Sequence, residues 1–274
     1  MLRTTIALLF ALLIAACSEA RQDRDWLPYL ARTTHVDQQA ENFTVAPVLN
    51  WSYNAQGPTA QDYTRADFRY SDLRRVWFLI EPQPGMTYAA HTLLLFEFAD
   101  DRMLGVTIEA RREQNEDYNA FAGLGQAYEL AYMWGSARDL LTRRVVMLDH
   151  EVFVYPIEIR PALADTLLRR LLGRTDYLER TPRWYNTLFS NCTNELAKAT
   201  DLDWHYSYVL TGYADEHLNR IGLIPGDDFA AAHARSDVTD FVRTLNDAPA
   251  AEFDAHLLAE LRRRWDRDTP PQNQ

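Results

Sequence analysis

The sequence predicts an α+β fold, an antiparallel sheet followed by packed helices, and three observations carry that prediction. Two apolar runs of strand length, 91–98 and 103–110, flank an Asp-rich break and read as a hairpin. Two more runs, 143–148 and 152–159, flank Asp149-His150 and read as a second hairpin. Residues 161–172 then carry apolar positions at helical spacing, with Pro161 at the start and Gly173 expected at the end.

In chain order, Met1, Leu2 and Arg3 give a short basic opening, residues 4–16 are almost wholly apolar, and Cys17 follows. An apolar run of about 12 residues is too short to span a bilayer of about 30 Å. It has the length of a signal-peptide core. Ile14-Ala15-Ala16-Cys17 resembles the bacterial lipobox, in which the cysteine is lipidated and becomes the first mature residue. The alternative is an ordinary secretory signal that happens to end at Cys. By resemblance to Gram-negative lipoproteins, Ser18 after the cysteine points to the inner leaflet of the outer membrane.

Residues 17–45 are polar and read as a lipid-anchored tether, with one short helix near Asp25-Trp26-Leu27. Residues 50–61 are turn-rich. Residues 72–80 read as a strand that Pro82, Pro84 and Gly85 break. After the hairpins and the 161–172 helix, further helices are expected over 192–199 and 254–264, the last with a basic final turn that suits its dipole. The expected organisation is a signal peptide over 1–16, a tether over 17–45, a single domain over 46–265 and a mobile tail over 266–274.

Composition narrows the function. A chain of 274 residues with 47% hydrophobic and 12% aromatic residues can pack one large core. A net charge of −11 offers no footprint for nucleic acid. No stretch of about 18 apolar residues occurs, so a membrane partner is expected only through the anchor. There is no Cys-x-x-Cys, no His-Glu-x-x-His and no Gly-rich phosphate loop, so no metal or cofactor is expected, and Gly123-Leu-Gly125 reads as a turn.

With Cys17 lipidated, Cys192 stands alone, and an unpaired exported thiol is either buried and inert or reactive. Ser190 and Asn191 are good helix N-caps, which places Cys192 in a first helical turn. The partial positive charge there favours thiolate, and the free N–H groups can hold an oxyanion, with the Asn191 amide as a second donor. A thiol also needs a base. His91, at the mouth of a strand, leads His150 and His205 modestly. Glu109 would orient it only in one register: pairing Phe98 with Arg102 sets His91 opposite Glu109, whereas pairing Phe98 with Met103 sets them on opposite faces. Tyr185 and Arg111 are further candidate substrate contacts.

The ordered set 91–98, 108–113, 128–132, 182–187 and 190–193, with Gly212-Tyr-Ala-Asp-Glu216, resembles the Lnb N-terminal periplasmic domain family over roughly residues 80–225. The resemblance implies a circularly permuted papain-like fold of the NlpC type, in which the His strand precedes the Cys helix. It implies Cys192 as nucleophile, His91 as base and Glu109 as their partner. The chain departs from full-length relatives in lacking the membrane helices that follow this domain, and Ala137 stands where an acidic residue is usual. The expectation is a thiol-dependent acyltransferase or amidase of the cell envelope, acting on lipid or lipoprotein acyl groups, with an integral membrane partner supplying the missing helices. A peptidoglycan-peptide hydrolase and a non-catalytic scaffold are the alternatives.

Overall fold

The structure, a computed structural model, describes residues 19–266. The segments expected to be a signal peptide and a lipobox with Cys17, and the expected tail from 267 onward, lie outside the described residues. The strands are β1 (His35–Gln38), β2 (Asn42–Leu49), β3 (Ser52–Asn54), β4 (Gly57–Ala60), β5 (Tyr63–Arg69), β6 (Leu73–Gln83), β7 (Met86–Phe98), β8 (Met103–Arg111), β9 (Glu129–Gly135) and β10 (Phe153–Ile157). The helices are α1 (Ala137–Thr142), α2 (Pro161–Arg180), α3 (Cys192–Lys198), α4 (Ala214–Arg220), α5 (Phe229–Ser236), α6 (Thr239–Thr244) and α7 (Ala250–Trp265). The fold is α+β, as the sequence predicts.

One eight-stranded sheet runs β1-β2-β9-β8-β7-β6-β10, with β5 also on β2, and β3 and β4 form a small separate hairpin. Every pairing is antiparallel except the single contact of β2 with β9. The central strands β7 and β8 are buried on both faces because helices cover both. On one face α2 and α3 pack, with Trp134 donating from Nε1 to Thr175 Oγ1 and Thr92 bonded to Thr193. On the other, Leu140 of α1 lies against Gly105 and Gly135, and Arg262 of α7 reaches Glu97.

Four sequence expectations are corrected. The tether over 17–45 does not hold for its described part: Trp26 and Leu30 are buried, and β1 and the first half of β2 lie inside that range. Its polar residues occupy the outward faces and the turn of an edge hairpin, while Phe43 and Val45 point into the core. Residues 143–147 are not a strand. Ser136 caps α1, its Oγ accepting from the Asp139 N–H, and the chain continues as a π-helical turn. Short apolar runs do not distinguish buried helix from strand by periodicity. Helix α2 passes through Gly173 to Arg180, because Leu171, Leu172, Thr175 and Leu178 carry the buried stripe past it. Strand β6 likewise continues through Pro82, which lies beyond the last β10 pair at Ile80, so no ladder bond on that side is lost.

The family-like Gly212 has a packing reason. The 3₁₀ turn Thr211–Tyr213 sits on β7, where Thr211 Oγ1 both accepts from the Ala90 N–H at 2.8 Å and donates to the Ala90 carbonyl at 2.6 Å. A Cβ on Gly212 would lie 2.2 Å from the Thr87 carbonyl oxygen and 2.8 Å from the Tyr88 carbonyl carbon. Both are backbone and cannot turn aside. Gly212→Ala is expected to cost about 1–3 kcal/mol, the scale of overpacking, read as a lower urea midpoint at unchanged slope.

Candidate active site

The register settles the position of the acid. β7 and β8 pair Glu97 with Met103 and Leu93 with Thr107, and the Phe98 N–H donates to the Arg102 carbonyl at 3.0 Å. Continued outward, this register sets His91 opposite Glu109 on one face. The β7–β8 ladder stops at Leu93–Thr107, whereas β8 stays paired with β9 out to Arg111. The strands therefore part at His91, and Cys192 comes in at this opening from the start of α3.

Here the imidazole has partners on both sides. His91 Nε2 lies 2.6 Å from Thr107 Oγ1 and 3.2 Å from Glu109 Oε1. The Thr107 hydroxyl donates to Glu109 Oε1 at 2.7 Å, so it accepts from Nε2–H. With Nε2 committed, Nδ1 is the nitrogen left to face the thiol, and the charge of His91 acts directly on Cys192. The sulfur lies 3.8 Å from the Thr193 hydroxyl, which is itself 2.8 Å from the hydroxyl of Thr92. Cys192 is 6% exposed, and the His91 and Glu109 side chains are 18% and 16% exposed, so the three groups are largely withdrawn from water.

The electrostatics follow from this line of groups. Burial pushes the Cys192 thiol up, but the adjacent His91 charge, with the polar groups of Thr92 nearby, brings it down to about 7. Burial opposes charge on His91 too, yet Glu109 and the sulfur outweigh it and raise the imidazole to about 10. Burial would also raise Glu109, but His91, Arg144 and Arg143 hold it well below the usual carboxylate range. Both shifts run in the direction that favours a thiolate–imidazolium pair over the neutral pair.

The remaining candidates divide. Tyr185 stands beside Cys192, with burial first and the sulfur's charge second in pushing its phenol up, and its hydroxyl lies 3.2 Å from Tyr118 Oη. Asn191 caps α3 but is not a free donor: Nδ2 gives both hydrogens to the Thr187 and Tyr208 carbonyls, each at 2.8 Å, and Oδ1 accepts from the Asn194 N–H. Arg111 does not serve this site. It is 2% exposed, donates to the Leu30 and Ala31 carbonyls and to Gln22, and stacks on Trp26, so it clasps the N-terminal segment. His150 bonds Glu81 rather than sulfur, and His205 stacks on His217 with ring centroids 3.6 Å apart.

Three supporting residues went unread in the sequence. Thr107 lies two residues before Glu109 on the same strand face, so period-two alternation could have found it. Glu81 is the β6 neighbour of His91. Arg144, 1% exposed, lies with Nε 2.7 Å from Glu81 Oε2 and Nη2 3.7 Å from Glu109 Oε1. Among the described residues no group of three or more His, Cys, Asp or Glu could hold a metal ion, and no helix is long and apolar enough to cross a membrane.

Residues 59–207, more than half of the chain, match the family model of the Lnb N-terminal periplasmic domain. No curated protein and no solved structure matches the chain.

Proposed function

The chain belongs to the Lnb N-terminal periplasmic domain family, and from that premise we propose that it is a lipid-anchored cysteine enzyme of the cell envelope that transfers or releases acyl groups through a thioester on Cys192. Lipid or lipoprotein acyl esters are the substrate class, and Cys17 is the lipid attachment. The observation that carries this reading is the buried line Cys192, His91, Glu109: an inert packing thiol needs no imidazole held by a carboxylate.

In the proposed mechanism the Cys192 thiolate attacks the acyl carbonyl carbon and forms the C–S bond. The Cys192 backbone N–H, which has no intrahelical carbonyl to bond, and the Tyr185 hydroxyl hold the developing oxyanion. The C–O bond to the leaving alcohol breaks as His91 gives that oxygen a proton. An amine or water then attacks the thioester and passes a proton to His91, and the C–S bond breaks to return the thiolate. Glu109 and Thr107 keep Nε2 protonated, so Nδ1 is the nitrogen that shuttles the proton.

The test is the pH dependence of iodoacetamide alkylation of Cys192. The wild-type rate should be half-maximal near pH 7. In His91→Ala burial acts without the imidazolium, and the midpoint should move above the ordinary thiol value of about 8.5. Alkylation at pH 7 should then fall at least about tenfold. Superimposable profiles would refute the Cys–His pair.

A further inference from the structure

Large apolar side chains stand in water beside the site. Phe121 is 84% exposed and Phe189 68%, and Leu124 and Leu188 are exposed with them. They occupy two loops that are clipped together. The Thr187 N–H donates to the Gly123 carbonyl at 2.8 Å, Thr187 Oγ1 to the Ala120 carbonyl at 2.8 Å, and Asn186 Nδ2 to the Leu124 carbonyl at 3.0 Å. Gly123 permits this approach, since a Cβ there would lie 2.5 Å from Thr187 Oγ1. The second loop is internally braced as well: Asn186 Oδ1 accepts from the Leu188 and Phe189 N–H groups, and the Ser190 N–H donates back to the Asn186 carbonyl. These rings are therefore presented by ordered backbone, and the second loop runs directly into Asn191 and Cys192.

The chain's own course says what covers them. Its first described residue is Glu19, and the Arg21 N–H is fixed to Glu129 Oε1 at 3.1 Å. Glu129 bridges to Trp184, the residue that leads into the clipped loop. Cys17 is only two residues before Glu19, a reach of about 7 Å. A lipid on Cys17 thus holds the bilayer at the end of the sheet where Cys192 opens and these rings point outward. With a chain charge of −11, adhesion there is apolar rather than electrostatic.

We propose that the paired loops carrying Phe121, Leu124, Leu188 and Phe189 are a bilayer-docking surface, which seats Cys192 at the acyl–headgroup boundary of the membrane that holds the anchor. This rests on the lipid-anchored reading above and names the physical source of its substrate, a phospholipid drawn from the bilayer rather than a soluble peptide. Exposed apolar patches rimming a site mark such surfaces.

The experiment uses the full chain reconstituted in phosphatidylethanolamine/phosphatidylcholine vesicles. Phe121→Cys, Phe189→Cys and, as a control on the exposed face of α7, His256→Cys are each made in a Cys192→Ser background and labelled with a polarity-sensitive fluorophore. Quenching by acyl-chain nitroxide lipid should be at least about twofold stronger at 121 and 189 than at 256. Equal, water-like emission at all three positions would overturn the proposal. In the Cys192-containing protein, Phe121→Asp/Phe189→Asp should lower acylation of Cys192 from vesicle phospholipid by about tenfold and leave iodoacetamide alkylation unchanged. Undiminished acylation would also overturn it. Inserted probes together with a thiol indifferent to His91 would sink the catalytic reading and leave the docking surface standing.

Discussion

Cys192→Ser is expected to abolish acyl-enzyme formation, a loss on the order of 10,000-fold or more. The reason lies in the pair rather than in the atom alone. Glu109 and the sulfur stabilise the imidazolium so strongly that His91 is raised to about 10, which suits a thiol brought down to about 7. A serine hydroxyl in the same place stays protonated, because its proton is held far more tightly than His91 can match. Intact-mass measurement after incubation with diacylphosphatidylethanolamine vesicles checks this: the wild type should gain one acyl mass at Cys192 and the variant none. Glu109→Gln should fall between the two, since the amide still accepts from Thr107 but no longer supplies charge. Turnover in the wild type should rise with pH through about 7, as the thiolate forms, and fall through about 10, as the imidazolium is lost. Undiminished acylation of the serine variant would remove Cys192 from the mechanism.

Arg144→Leu should produce the largest loss of stability. Arg144 and Glu81 are both buried and paired at 2.7 Å, with His150 Nδ1 2.5 Å from the other Glu81 oxygen. Removing the guanidinium strands a carboxylate in the core, at a cost of about 3–5 kcal/mol. For a domain of this size that is roughly 10 °C in melting temperature. The sign with pH is fixed by Glu81. In the wild type burial opposes its charge, but Arg144, then His150 and His91, hold it below its ordinary value. Its contribution is therefore present above the unfolded value of about 4.3 and lost as pH falls. In the variant the folded value rises above the unfolded one, so protonation relieves the stranded charge. The deficit should be widest at neutral pH and narrow towards pH 4–5, and Glu81→Leu/Arg144→Leu should recover most of it. Thermal denaturation at several pH values reads all three; a deficit independent of pH would contradict the stranded-charge account.

The parts of this site that were legible in the sequence are those set by local signals. Asn191 caps a helix because Asx side chains accept from the N–H three residues on, and that places Cys192 at a helix start. His91 and Glu109 meet because a hairpin's loop length fixes its register, although choosing between two loop lengths needed the structure. Arg144 was hidden because a short apolar run reads alike as strand or helix, so its position could not be placed beside Glu81. The Asn191 amide was misjudged for another reason: its claimants, the carbonyls of Thr187 and Tyr208, include one 17 residues further along, and only folding brings it near. Edge strand β1 and its partner β2 were missed because a half-buried hairpin with a polar turn looks, in sequence, like any solvated segment.

That edge hairpin also separates two boundaries. The family match begins at residue 59, yet β1 and β2 precede it, and β2 lies beside β9, the strand that leads into α1. The Arg111 side chain, inside the match, is satisfied by the Leu30 and Ala31 carbonyls, outside it. A chain shortened to the shared stretch would leave a buried guanidinium without acceptors and strand β5 without the β2 neighbour it pairs with. Open strand edges recruit other edges, so such a fragment is a candidate for self-association. The stretch that matches the family and the stretch needed to satisfy Arg111 and pair β5 are thus of different length in this protein.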